Sequence, residues 1–89
     1  PPEDAMGHLK FELTEKAHLF VSVFDIKLQL RYRSEVFQNV DAGEHSYMWD
    51  GRDDQGRLLD EGGYKVRIEL MDLDGMVHSG GTFNIDIRY

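Results

Sequence analysis

Asp50, Asp53 and Asp54 fall close together, and Asp72 and Asp74 make a second acidic pair further along the chain. Clustered carboxylates are ligands for hard cations such as calcium, which take several carboxylate and carbonyl oxygens at once. The run Asp50-Gly51-Arg52-Asp53-Asp54-Gln55-Gly56 departs from the spaced D-x-[DN]-x-[DN]-G loop, however, and carries an arginine inside the cluster. A tight loop calls for the same residues. Asp side chains accept hydrogen bonds from backbone N–H groups two residues on, and glycine supplies positive φ without strain. No metal is assigned to them.

The remaining chemistry-bearing residues are scattered. His8, His18, His45 and His78 sit on different expected strands or strand ends and form no local ligand pair. Ser22, Ser34, Ser46 and Ser79 lack the context of an activated nucleophile. Nothing among the seventeen acidic residues marks two carboxylates held apart for glycoside hydrolysis. Neither Gly62-Gly63 nor Gly80-Gly81 opens a helix whose N-terminus could hold a phosphate. The chain is therefore expected to be non-catalytic, with no cofactor.

Two aromatic groups carry the other possibilities. Tyr32, Tyr47, Trp49 and Tyr64 would make a sugar-binding platform if exposed together, which is the alternative functional reading. Alternation instead puts His45, Tyr47 and Trp49 on one face of a strand that enters a tight loop, where a large aromatic caps the end of a core. Phe20 and Phe24 lie on the face of their strand opposite Leu19, Val21 and Val23, where either a loop or neighbouring strand covers them or they form the candidate exposed patch for docking.

The elements that must position these residues read as strands. Leu9, Phe11 and Leu13 alternate with polar residues, and a second strand follows over residues 18–24. Residues 26–33 alternate apolar with polar and are expected to form a third, with Lys27, Arg31 and Arg33 on its solvated face, although no Gly, Pro or Asn marks the turn before it. Residues 34–41 lack a period and are expected to cross irregularly, tucking Val36, Phe37 and Val40 over the core. Residues 44–50 form the next strand, and Tyr64, Val66, Ile68 and Leu70 face inward along the clearest one. Asp74-Gly75 predicts a hairpin on the ground that both positions tolerate positive φ, folding residues 76–79 back on their neighbour. Gly80-Gly81 then predicts a bulge or bend before Phe83, Ile85, Ile87 and Tyr89 resume alternation. About seven short strands with no helical stripe predict an all-β, antiparallel sandwich of immunoglobulin type.

Composition bounds the rest. The 89 residues suffice for one domain, expected over residues 8–89, with residues 1–7 as a linker or disordered end rich in Pro and acid. A first residue other than Met is expected of a piece cut from a longer polypeptide. A formal charge of −7 argues against nucleic acid and anionic membrane as partners. The absence of cysteine removes disulfides and thiolate chemistry, and no apolar run is long enough for a membrane span.

Ala42-Gly43-x-His45, then Trp49-Asp50-Gly51-x-Asp53, then Gly56, Leu59 and Gly62-x-Tyr64, resemble the pattern aG-x-H-x3-WDG-x-D-x2-G-x2-L-x2-G-x-Y of the FlgD-like Ig domain family. Phe11-x-Leu13 and Leu19-x-Val21-x-Val23-Phe24-Asp25 resemble that family's opening strands. The resemblance covers roughly residues 9–77, with two departures. The family's glycine soon after the Asp25 position is replaced by Ile26-Lys27-Leu28-Gln29, and the tail from Gly80 to Tyr89 runs on beyond many such modules. It implies a structural or protein-interaction module of an exported bacterial protein, extracellular or at the cell surface. Hook capping and assembly, contact with neighbouring domains or other proteins, and self-assembly are the associated expectations. Trp49, Asp50, Gly51, Asp53, Gly56, Gly62 and Tyr64 are read as fold-making residues of the motif.

Overall fold

A computed structural model describes residues 8–89, so the linker expected over residues 1–7 lies outside the described residues. The described chain holds seven strands: β1 (His8–Leu13), β2 (Ala17–Asp25), β3 (Leu30–Arg33), β4 (Phe37–Val40), β5 (Gly43–Met48), β6 (Gly62–Met71) and β7 (Val77–Ile87). All pairings are antiparallel. The ribbon β1–β5 packs over a five-stranded sheet ordered β3-β2-β6-β7, with β4 also joined to β2. This is the expected Ig-like sandwich.

β2 is the organising strand. It pairs with β6 from His18↔Met71 to Asp25↔Tyr64, and β4 and β3 share its other edge end to end. Its period of two buries Leu19, Val21 and Val23, the two valines clustering with Tyr64, Val66 and Ile68 of β6 and Leu9 of β1. Val21, Val23, Val66 and Ile68 are wholly removed from solvent, and burying each stabilises the fold by roughly 1.5–3 kcal/mol. Trp49, Leu59 and Ile87 close one end of this core.

The strand count agrees with expectation, but the partition differs at three places. The third strand begins at Leu30, because residues 25–29 are a hairpin loop; Lys27 lies in that loop rather than on a strand face. Residues 37–40, expected as irregular crossing, form β4, which continues the edge begun by β3 after a break at Ser34. The Ser34 hydroxyl takes the place of a ladder carbonyl there by accepting the Val21 amide at 2.8 Å. Finally, the two expected C-terminal strands are one, β7.

The bulge expected at Gly80-Gly81 lies within β7. Arg67↔Thr82 and Glu69↔Ser79 bracket a point where Ile68 alone faces both glycines. A Cβ at Gly80 would meet Leu70 Cγ at 2.9 Å and the Ile68 carbonyl oxygen at 3.2 Å, so only glycine fits without displacement. The Asp74-Gly75 hairpin forms, but Gly75 alone takes positive φ, within a loop closed by Asp72 and Met76 rather than a two-residue turn.

Candidate functional site

The glycine- and acid-rich stretch after β5 is held by its own side chains. Trp49 is 1% exposed and donates its indole N–H to the Arg52 carbonyl at 3.1 Å. Its ring meets Tyr64 edge to face at 5.8 Å, and Tyr64 in turn donates to the Asp60 carbonyl at 2.7 Å. Tyr89, at the far end of the chain, donates to the Leu59 carbonyl. Gly51 is buried at φ 78°, beside the Leu59 amide that donates to its carbonyl at 2.9 Å. Gly56 takes φ 82° at the loop tip, and Gly62 takes φ 144° where β6 begins. Arg52 donates to the Gly56 carbonyl at 2.8 Å.

The carboxylates of this stretch accept from backbone N–H groups. Asp50 accepts the Arg52 amide at 3.2 Å, and Asp53 accepts the amides of Gln55 at 2.9 Å and Arg57 at 3.0 Å. Asp54 reaches across to the edge of β3 and accepts the Arg33 amide at 3.0 Å. This arrangement stabilises a loop. Among the described residues no three His, Asp or Glu side chains converge as metal ligands would.

The histidines are separate in space as in sequence. His18 Nδ1 accepts the Asn39 amide at 3.0 Å, where Asn39 holds φ 55°. His45 donates to the Asp41 carbonyl and lies against Phe11, and His78 meets Asp72 at 3.2 Å. Tyr32 and Tyr47 bring their hydroxyls to 3.4 Å while half-buried against the core, and burial pushes the Tyr47 hydroxyl far above its ordinary pKa. With Trp49 and Tyr64 inside as well, the sugar-binding reading has no exposed aromatic platform.

Phe20 and Phe24 do share the outer face of β2, with Ser22 between them. Each ring is half-buried under a guanidinium: Arg33 lies 5.2 Å from the Phe20 centroid and Arg67 5.1 Å from that of Phe24. The patch is therefore aromatic and cationic together. Both arginines are register partners of Ser22, on β3 and β6 respectively, and Ser22 itself is fully buried with its hydroxyl unpartnered.

One relationship was missed from sequence. Residues 25–29, 53–57 and 72–76 are three copies of one hairpin loop. In each the first Asp uses one carboxylate oxygen to accept the amides two and four residues on, at 2.9–3.0 Å. In each the fourth residue takes positive φ: Leu28 at 64°, Gly56 at 82° and Gly75 at 90°. D-x-x-G repeats visibly at Asp53 and Asp72. At Asp25 the missing glycine hid it, and this is the turn that lacked a signal.

The model of the family described as FlgD Ig-like domain matches residues 3–74. Among solved structures, the chain is similar to FlgD from P. aeruginosa, with TM-score 0.78 and 24% identity, covering 97% of this chain and 65% of that one. It is also similar to FlgD from Xanthomonas campestris, a structure described with reference to hook capping in flagellar assembly. That likeness has TM-score 0.71 and 24% identity, covering 92% of this chain and 59% of that one. The chain thus spans under two-thirds of either structure's length. No curated protein matches the sequence.

Proposed function

This chain belongs to the FlgD Ig-like domain family, and on that premise we propose that it is a non-catalytic structural and protein-interaction module of a larger exported bacterial protein acting in flagellar hook capping and assembly. The observation that carries the reading is the family match over residues 3–74. A second feature supports it: the acid-rich motif is occupied in holding the fold. The working surface is the outer face of β2, where Phe20 and Phe24 lie under Arg33 and Arg67. Its partners are neighbouring domains of the parent chain, other proteins outside the cell, or further copies of the parent.

The test is association of the intact parent protein with isolated flagellar hooks, by co-sedimentation and size exclusion. Binding that is lost on Phe20→Ser with Phe24→Ser supports the reading. An intact parent that neither binds hooks nor self-associates overturns it.

A further inference from the structure

The β2–β3 hairpin departs from a rule that the chain keeps twice. Where the two equivalent loops carry Gly56 and Gly75, this one holds Leu28 in the left-handed region, at φ 64°. A side chain there is strained relative to the right-handed region. Packing does not offset that strain, because Leu28 is 66% exposed. Ile26 and Leu30, two residues to either side, are also exposed, so three large aliphatic side chains project from one short tip. Single exposed apolar residues need no explanation, but a contiguous set on a strained turn does.

Basic residues gather around the tip, alongside the carboxylates of Asp25, Asp54 and Asp86. Lys27, Arg31, Arg33, Lys65 and Arg67, five of the chain's ten basic residues, lie on this hairpin or on the stretch of β6 paired with its first strand. Arg31 is paired with Asp25 and Arg67 with Glu69, but among the described residues Lys27, Arg33 and Lys65 form no ion pair. A chain of net charge −7 thus presents three cations without an ion pair around an exposed aliphatic tip. Leu30 is the register partner of Phe24, so the tip continues the Phe20/Phe24 face.

We propose that Ile26, Leu28 and Leu30 form a docking knob, with Lys27 and Arg33 as its charged rim, for a partner protein that offers an apolar groove edged by carboxylates. Desolvated aliphatic anchors supply affinity and the rim supplies orientation. The overall negative charge disfavours an anionic bilayer as the occupant. The inference rests on the protein-interaction reading and names the partner chemistry of that surface.

Leu28→Gly separates docking from folding. It relieves the strained φ, so it raises Tm by a few degrees, yet it removes the central anchor. The parent protein, carrying a photo-crosslinking residue at Ile26 in its native cell, reports docking as adduct yield. The expected result is an adduct with a different protein at a segment that combines apolar residues with Asp or Glu. Its yield falls by about tenfold with Leu28→Gly, as losing one good anchor implies. It falls similarly with Lys27→Glu plus Arg33→Glu, the circular dichroism spectrum being unchanged. The proposal is overturned by a yield that Leu28→Gly leaves intact, or by adducts to lipid, to the parent itself, or to a segment without carboxylates. The captured protein's identity bears separately on the hook-assembly reading: a non-flagellar protein with these properties sinks that reading and leaves this one standing.

Discussion

The Ser34 hydroxyl accepts the Val21 amide at 2.8 Å while the Ser34 amide donates to the Val21 carbonyl at 2.8 Å, so one residue satisfies both polar groups of a buried position on the central strand. Ser22, the next residue on β2, is also buried but has no partner for its hydroxyl. These two serines should respond to the same substitution with opposite signs. Ser34→Ala leaves the Val21 amide without its acceptor and should destabilise the fold by about 1–3 kcal/mol. Ser22→Ala removes an unsatisfied group and should be neutral or stabilising. Urea unfolding of the two variants is the check, and equal losses would contradict the assignment.

The three Asp-closed loops make a second comparison. Leu28→Gly should gain roughly 0.5–1 kcal/mol, the relief of left-handed strain less the added chain entropy of glycine. Gly56→Ala and Gly75→Ala should each lose about 1 kcal/mol for the converse reason. Both glycines have open space around them, so the effect is backbone strain and not collision. Thermal melts of all three variants decide it.

Trp49 fixes the end of the core and its fluorescence reports the fact. Its emission should be that of a buried indole and should not move with any of a panel of glycans. Trp49→Ala should destabilise by about 3–5 kcal/mol through the cavity left beside Tyr64 and Leu59. A red, glycan-sensitive emission would instead favour the carbohydrate-binding alternative.

Acid should open the hairpin loops. The amides of Gln29, Arg57 and Met76, each four residues on, are the chief reason that the carboxyls of Asp25, Asp53 and Asp72 lie below the ordinary carboxylate range, and His78 adds to the effect at Asp72. A depressed folded-state pKa contributes stability that is fully present above the unfolded-state value. That stability is lost as pH falls through the folded-state value. The stability curve should therefore fall below the ordinary carboxylate range and stay level through neutrality as far as these groups are concerned. Replacing all three by Asn keeps an acceptor oxygen without a titrating charge and should flatten the acid limb. Stability measured against pH for parent and triple variant tests this.

The sequence by itself determined the periodic parts. The alternations of residues 19–23, 64–70 and 83–87 dictated which side chains enter the core, because a strand has a period of two and a one-residue slip would expose every apolar group. The spaced Gly, Trp, Asp and Tyr residues of 42–64 likewise carried the family resemblance, since their backbone requirements are local. Tertiary structure decided what depends on a partner strand. β4 exists because the free edge of β2 accepts Phe37 and Val40, although four residues without a period carry no signal of their own. The turn at Asp25 was hidden because its positive-φ position is filled by leucine, whose strain is tolerated once the Asp25 carboxylate ties both following amides. The arginine cover of Phe20 and Phe24 joins residues on three strands, and no spacing along one chain encodes which neighbours a sheet will bring together.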